Sequence, residues 1–436
     1  MLFRSTIFWE KILNKFFKPG VLGCLLLQGL LAVAQTPVSL TPFLPSEQEV
    51  KSALFASPLI DVARSKKDAS TARAMGLQAG NAEFTVRASA QRRQEMLMGA
   101  QLHETMVSIE RPFRAWGKRG VDADLSNQTL ALADIEFSDA LHEGTRELMH
   151  FWFVYLKALV DQKNAESNLD LTQKMYRLTQ VQFKQGEISQ LDQQLASAEF
   201  ERVKAADALA KAQVLSSRSA FVQRYPAVTL PTQLPSLLDK QIVQELPALN
   251  GSMVSMREDF LIKNHELNMM RIDAKRLQLM AQRAGKDMLP DPTFGVFSAQ
   301  ERSGAERVSG ILFSMPLPGS VRESHARVSM AEAQAALDKV RLLEQQLGAN
   351  FDAMWIQFEN KRLALQSLKL AFKAQAQAAE KSLKAYALGE GNLAQTLMIS
   401  RLSSENLTAV EHMNLEVLEL LALIRLDLHQ MWDFDE

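Results

Sequence analysis

The sequence predicts a mainly helical protein with a small β part, in which one unit of long helices and a two-stranded hairpin is used twice. Three observations predict it. The stretches FKQGE at 183–187 and YALGE at 386–390 share an aromatic-x-x-Gly-Glu pattern 203 positions apart, and Pro112 recurs as Pro316 at an offset of 204. Residues 121–185 contain no proline and only Gly144, so one uninterrupted helix fits them. Between 83 and 91, Phe84, Val86, Ala88 and Ala90 alternate with Glu83, Thr85, Arg87, Ser89 and Gln91, a period of two that marks a strand.

The 436 residues suffice for several domains or one elongated one. In residues 1–34, Arg4, Lys11, Lys15 and Lys18 precede an apolar run from Val21 that closes on Ala32-Val33-Ala34. A basic region, a short apolar run and an A-x-A site read as a signal peptide. Cys24, the only cysteine, lies inside it, with most of the apolar run after it, the wrong order for lipidation at that cysteine. Removal of 1–34 leaves 45 basic against 49 acidic residues, so no basic surplus points to nucleic acid. Beyond it no run of 18 apolar residues occurs, and membrane entry would require a β-barrel.

Residues 35–48 are Pro-rich and read as an extended lead-in. The first repeat, 49–224, opens with a helix over about 49–77 that Ser57-Pro58 interrupts. Strands over 83–91 and about 102–111 follow, the second stopping at Pro112. A helix over 120–185 spans about 100 Å at 1.5 Å per residue. Gly186 breaks it, and a further helix runs to about Val222. Pro226, Pro231, Pro235 and Pro247 make 225–249 a linker. The second repeat, 250–436, gives a helix over 256–284, strands over 293–300 and 307–315, a helix over 322–388, a break at Gly389 and a last helix to about Trp432. The recurrence of the whole order implies internal duplication.

Leu171, Met175 and Leu178 keep four-then-three spacing, and so do Leu347, Phe351, Met354, Phe358, Leu365, Leu368 and Phe372 with heptad steps. In the last helix Leu407, Val410, Val417, Leu421, Ile424 and Leu428 form one seam, with Leu415, Leu418 and Ala422 a second edge. A helix with two seams has a neighbour on each side. Four strands cannot close a barrel, but three copies would supply twelve. The expected assembly is a hollow homotrimer seated in an outer membrane, with its twelve strands closing one β-barrel and its helices hanging into the periplasm.

At this point the chain resembles the TolC-like outer-membrane efflux proteins, in their CzcC-like metal-resistance branch. Ser57-Pro58-Leu59-Ile60 and Asn264-His265-Glu266-Leu267 resemble the family's repeated N-P-x-L helix opening. Glu110-Arg111-Pro112-Phe113 with Gly117-Lys118-Arg119, Leu289-Pro290-Asp291-Pro292-Thr293-Phe294-Gly295, Ser314-Met315-Pro316-Leu317-Pro318 and the two glycine breaks complete the likeness, which covers about 45–430. It implies a homotrimer with a 12-stranded outer-membrane β-barrel and a periplasmic α-helical barrel, the passive exit duct of a tripartite pump, seated in outer-membrane lipid, docked to a periplasmic adaptor (membrane fusion) protein and an inner-membrane transporter, with no reaction catalysed, no cofactor and no bound nucleic acid. Metal cations are its first cargo class and organic compounds its second.

The resemblance also implies that Gly186, Glu187, Ser189, Gly389, Glu390 and Asn392 form the periplasmic tip that meets the adaptor. Glycine suits the chain reversal there, and Ser189 and Asn392 suit the N-caps of the returning helices. Where the family has proline, His265 predicts a weaker kink, and Gly391 in place of Ile188 predicts a more flexible second tip.

Enzyme signatures are missing: there is no HExxH, no GxxxxGK[ST] and no cysteine pair. Gly389-x-Gly391 lacks the strand that a dinucleotide site needs before it. The seven histidines, at 103, 142, 150, 265, 325, 412 and 429, include no i, i+4 pair, and His142 and His150 stand about 12 Å apart along a helix, too far for one ion. No metal site is expected from them. Met96 with Met98, or Met269 with Met270, would suit Cu(I), though methionine is more commonly packing material. Asp192 and Glu199 are candidates to line a duct. An exported coiled-coil adhesin would keep the heptads without needing hairpins, and a periplasmic adaptor would carry one helical hairpin, not a duplicated unit.

Overall fold

The computed structural model describes residues 43–80, 83–234 and 251–434. The signal-peptide reading of 1–34, most of the 35–48 lead-in and the linker beyond residue 234 lie outside the described residues. Helices α1 (Glu47–Phe55) and α2 (Pro58–Ala79) lead to strands β1 (Thr85–Gln94) and β2 (Gln101–Pro112), then to α3 (Lys118–Lys184) and α4 (Gln190–Arg224). The same order returns as α5 (Met253–Lys263), α6 (His265–Lys286), β3 (Thr293–Glu301), β4 (Glu306–Ser314), α7 (Ser320–Ala387) and α8 (Leu393–Asp427). With 67 and 68 residues, α3 and α7 are each about 100 Å long.

Helix starts follow from side-chain caps. Ser46 and Glu49 form a reciprocal capping box on α1, and the Ser57 hydroxyl accepts from Leu59 N ahead of Pro58, whose fixed φ suits a first turn. The weaker kink expected at His265 is not what forms. Asn264 takes ψ 122° and accepts from Leu267 N through its side chain at 2.9 Å, so the helix stops at Lys263 and restarts at His265. Asparagine is among the best N-caps, and the break needs no proline.

The last helix also ends earlier than the expected Trp432, at Asp427. His429 N donates to Leu426 O and Gln430 N to Arg425 O, a Schellman closure with His429 at φ 54°.

The core lies where the long helices meet. Trp152, Phe153, Phe221, Phe351 and Phe358 are buried in one cluster with Val410, Leu415, Val417, Leu421 and Ile424 of α8. Burial of each large apolar side chain contributes about 1.5–3 kcal/mol, which sets this region as the rigid middle of the molecule. Both seams read on the last helix are used, since α8 packs against α7 and against α3. Charged links tie α8 to α3: Lys157 to Glu419 at 2.8 Å, Lys163 to the buried Glu411 at 3.1 Å, and His412 Nε2 to Asp161 Oδ1 at 2.7 Å.

The four strands form one antiparallel sheet in the order β1-β2-β3-β4. The sheet is anchored to the helices by ion pairs that join the two repeats. Buried Lys118, at the start of α3, reaches Asp287 at 2.8 Å and Asp291 at 2.7 Å, while Asp122 receives Arg114 and Arg283.

Candidate membrane-facing sheet and tip turns

The strand register sorts side chains by face. Val86 pairs with Ile109, Ile109 with Val296 and Val296 with Ile311, which makes one apolar row across all four strands. On the same face the next row toward the helices holds Phe294 and Phe313 beside Arg111, and the next row away holds Ala88 and Val107 followed by Ser298 and Ser309. These side chains are exposed, Val86 at 67% and Ile311 at 86%. Water is the wrong solvent for such a surface, because monomeric soluble proteins seldom expose a contiguous apolar patch of this kind.

The opposite face is polar on β1 and β2 and carries Phe297, Val308 and Leu312 on β3 and β4. Glu110 lies 3.4 Å from Arg87 and accepts from Ser108, and buried Glu104 accepts from Gln91 and pairs with Arg93 at 3.0 Å. Exposed apolar rows on one face and charged side chains on the other, on strands of 9–12 residues, match what a membrane barrel needs: about 9–11 residues per tilted strand, apolar outward and polar inward. At the helix end of the apolar face, Phe294 packs on Phe113 and Phe313 with ring centres 5.5 and 5.1 Å apart, and Arg111 covers Phe84 at 4.8 Å. Trp116, four residues after Pro112, is almost wholly exposed. This is where an aromatic girdle would meet lipid headgroups. Within the chain, β1 and β4 each keep one unpaired edge. Met96 and Met98 project from the β1–β2 turn, fully in the open.

At the far ends of the long helices the two glycine breaks adopt one geometry. Gly186 at φ 77° lets its N–H reach Phe183 O and Glu187 N reach Gln182 O; Gly389 at φ 81° does the same with Tyr386 O and Ala385 O. Left-handed φ is where glycine has its advantage over residues with a Cβ. The returning helices start on side-chain caps. Ser189 accepts from Asp192 N at 3.1 Å within a capping box, and Asn392 accepts from Gln395 N at 3.0 Å. Glu187 and Glu390 are exposed beside the glycines. The six residues singled out from the sequence thus lie on two turns, and the turns are neighbours: Met175, Ala196, Tyr386 and Leu393, one from each of α3, α4, α7 and α8, form a small buried cluster behind them. A Cβ on Gly391 would stand 2.9 Å from Tyr386 N, so this glycine permits close packing of the turn on the helix.

One feature of the helices was not read from the sequence. Val321, Val328, Leu342, Ile356, Leu363 and Leu370, spaced by sevens or multiples of seven along α7, are all exposed. The signal was present in that spacing, but the buried seam at Leu347, Phe351 and Phe358 was the stronger one. A second, uncovered heptad row is what a helix presents to a partner helix.

No protein-family model matches the chain, and no curated protein matches its sequence. Solved structures do match. The CmeC outer membrane channel of Campylobacter jejuni superposes with a TM-score of 0.72 at 12% identity, over 88% of this chain and 85% of that one. The outer membrane protein VceC of Vibrio cholerae gives 0.72 at 14% identity over 88% and 99%. CusC, described in terms of folding and transmembrane channel formation, gives 0.74 at 12% identity over 91% and 95%. The chain has the fold of an outer-membrane channel protomer. Within this channel fold the two-faced sheet and the paired glycine turns occupy opposite ends of the long helices, separated by about 100 Å of α3 and α7.

Proposed function

We propose that the chain is one protomer of a homotrimeric outer-membrane duct, the passive exit component of a tripartite efflux pump. The observation that carries this reading is the sheet: exposed apolar rows on one face, Glu104, Glu110, Arg87 and Arg93 on the other, and two unpaired edges. Exposed edges are an aggregation hazard that closure removes, and three copies place twelve strands in one barrel. The uncovered heptad row of α7 provides a matching lateral surface for the helices of a second copy.

In this reading the helices extend into the periplasm, and Gly186, Glu187, Ser189, Gly389, Glu390 and Asn392 meet a periplasmic adaptor that bridges to an inner-membrane transporter. The duct catalyses nothing and needs no cofactor. Metal cations are the assigned cargo class, on the CzcC-like resemblance of the sequence motifs. The test has two arms. Purified protein in planar lipid bilayers should conduct ions, and absence of conductance would remove the channel reading. Expression in a host lacking its own outer-membrane duct, with the cognate adaptor and transporter, should restore tolerance to transition-metal salts. Tolerance restored to organic compounds alone would leave the duct and overturn the metal cargo.

A further inference from the structure

Three histidines far apart in sequence meet in the structure. His142 lies on α3, His265 is the first residue of α6, and His429 follows the end of α8, at separations of 123 and 164 positions in turn. Their ring centres are 5.4, 5.6 and 4.8 Å apart, and one ring nitrogen from each lies within 4.8 Å of the other two. They line a cavity of about 10 Å³, the room of a single water-sized sphere, together with Leu141, Thr145, Leu426, Met431, Trp432 and Asp433.

We propose that His142, His265 and His429 bind one divalent transition-metal ion of borderline softness, Zn²⁺ foremost, which locks the end of α8 onto α3 and onto the α5–α6 break. Three imidazoles are the nitrogen donor set such ions prefer, with metal–nitrogen distances of about 2.0–2.1 Å. In tetrahedral geometry this puts the nitrogens about 3.4 Å apart, so the rings close by about 1.4 Å at most from their present separation.

Two features of the surroundings fit a built site. The carboxylates are placed where metal-bound histidines keep them: Asp427 Oδ1 is 3.3 Å from His142 Nε2, and Asp433 Oδ2 is 3.4 Å from His429 Nδ1. Asp427 also pairs with Arg146, which fixes the carboxylate itself. Secondly, His429 holds the left-handed position of a Schellman closure, at φ 54°, where glycine is the usual occupant. A side chain kept at a position that favours its absence points to a use for that side chain. The end of α8 favours a cation and the start of α6 opposes one, so the helix dipoles nearly cancel and the ligands decide. Lys263 Nζ donates to Leu428 O at 3.1 Å, which already brings the helix end to the α5–α6 break that the ion would secure.

The inference is independent of the channel reading, since it concerns three side chains within one chain. The test uses untagged, signal-cleaved protein in detergent, stripped with chelator and dialysed against Zn²⁺ or Co²⁺. One equivalent of Zn²⁺ per chain, the intense visible bands of tetrahedral Co²⁺, and a melting temperature raised by Zn²⁺ are expected. The decisive variant is His429→Gly. It relieves the backbone at φ 54°, so without metal it should melt no lower than the parent, while its Zn²⁺ affinity falls by about 100-fold or more. His142→Gln should lose the Co²⁺ bands as well. Substoichiometric binding by the parent, or a His429→Gly variant that binds as the parent does, would overturn the assignment.

Discussion

The Tyr386 hydroxyl donates to Gln182 Oε1 at 2.9 Å, joining residues 204 positions apart in the two repeats, each one turn before its tip glycine. The phenol is mostly buried, and burial together with Asp192 raises its pKa, so it remains a neutral donor across the physiological range. Tyr386→Phe keeps the ring and removes the bond. A loss of about 0.5–1.5 kcal/mol is expected, confined to the tip. Hydrogen exchange should quicken near 175–197 and 383–397 while the core around Trp152 and Phe351 stays protected; a uniform change would contradict a local role.

The tip glycines separate backbone from surface effects. Nothing lies within 4 Å of a Cβ built on Gly186 or Gly389, so alanine at either meets no clash and costs about 1 kcal/mol through left-handed φ alone. Glu187→Lys with Glu390→Lys changes no buried contact. Melting should be unaltered, while adaptor co-purification and efflux fall at least tenfold. Unchanged efflux would remove these two residues from the contact.

The link between α8 and α3 predicts a pH dependence. The hydrogen bond that His412 donates to Asp161 holds its pKa above the usual 6.5, so the histidine is more readily protonated folded than unfolded. Its contribution is therefore complete below about pH 6.5 and is lost as pH rises through the elevated folded value. Both partners are partly exposed, which limits the effect to about 1 kcal/mol or less. Denaturant midpoints should fall as pH rises above 6.5 in the parent, and that component should vanish in His412→Gln.

The two faces of the sheet should answer oppositely to one substitution. Val107 stands on the apolar face, and Val107→Arg in mid-strand should cost about 2–4 kcal/mol in a bilayer and reduce the yield of heat-resistant oligomer. Ser89 stands on the polar face, and Ser89→Arg should assemble as the parent does. Equal tolerance would mean that lipid does not cover Val107.

Most of the fold was legible because long-range order left local marks. Proline-free runs marked α3 and α7, the period of two marked β1, Pro112 and Pro316 marked the ends of β2 and β4, and the glycine breaks with Ser189 and Asn392 marked the turns to within a few residues. The helix ends were harder. At Asn264 the cap side chain, not a proline, makes the break, and at His429 a non-glycine closes α8, so the usual residue signals pointed elsewhere. The three-histidine cluster left no sequence mark at all. Its members come from three separate elements, and the spacing that matters exists only once α3, α6 and the turn after α8 are packed together.

The central claim is that three of these protomers close one barrel. It is tested most directly by the mass of the signal-cleaved protein extracted from outer membranes, measured by light scattering with the detergent subtracted. The account predicts about three times the mature chain mass, and only in detergent extracts. A monomer or dimer that stays in solution without detergent would contradict it and would favour an exported coiled-coil protein instead.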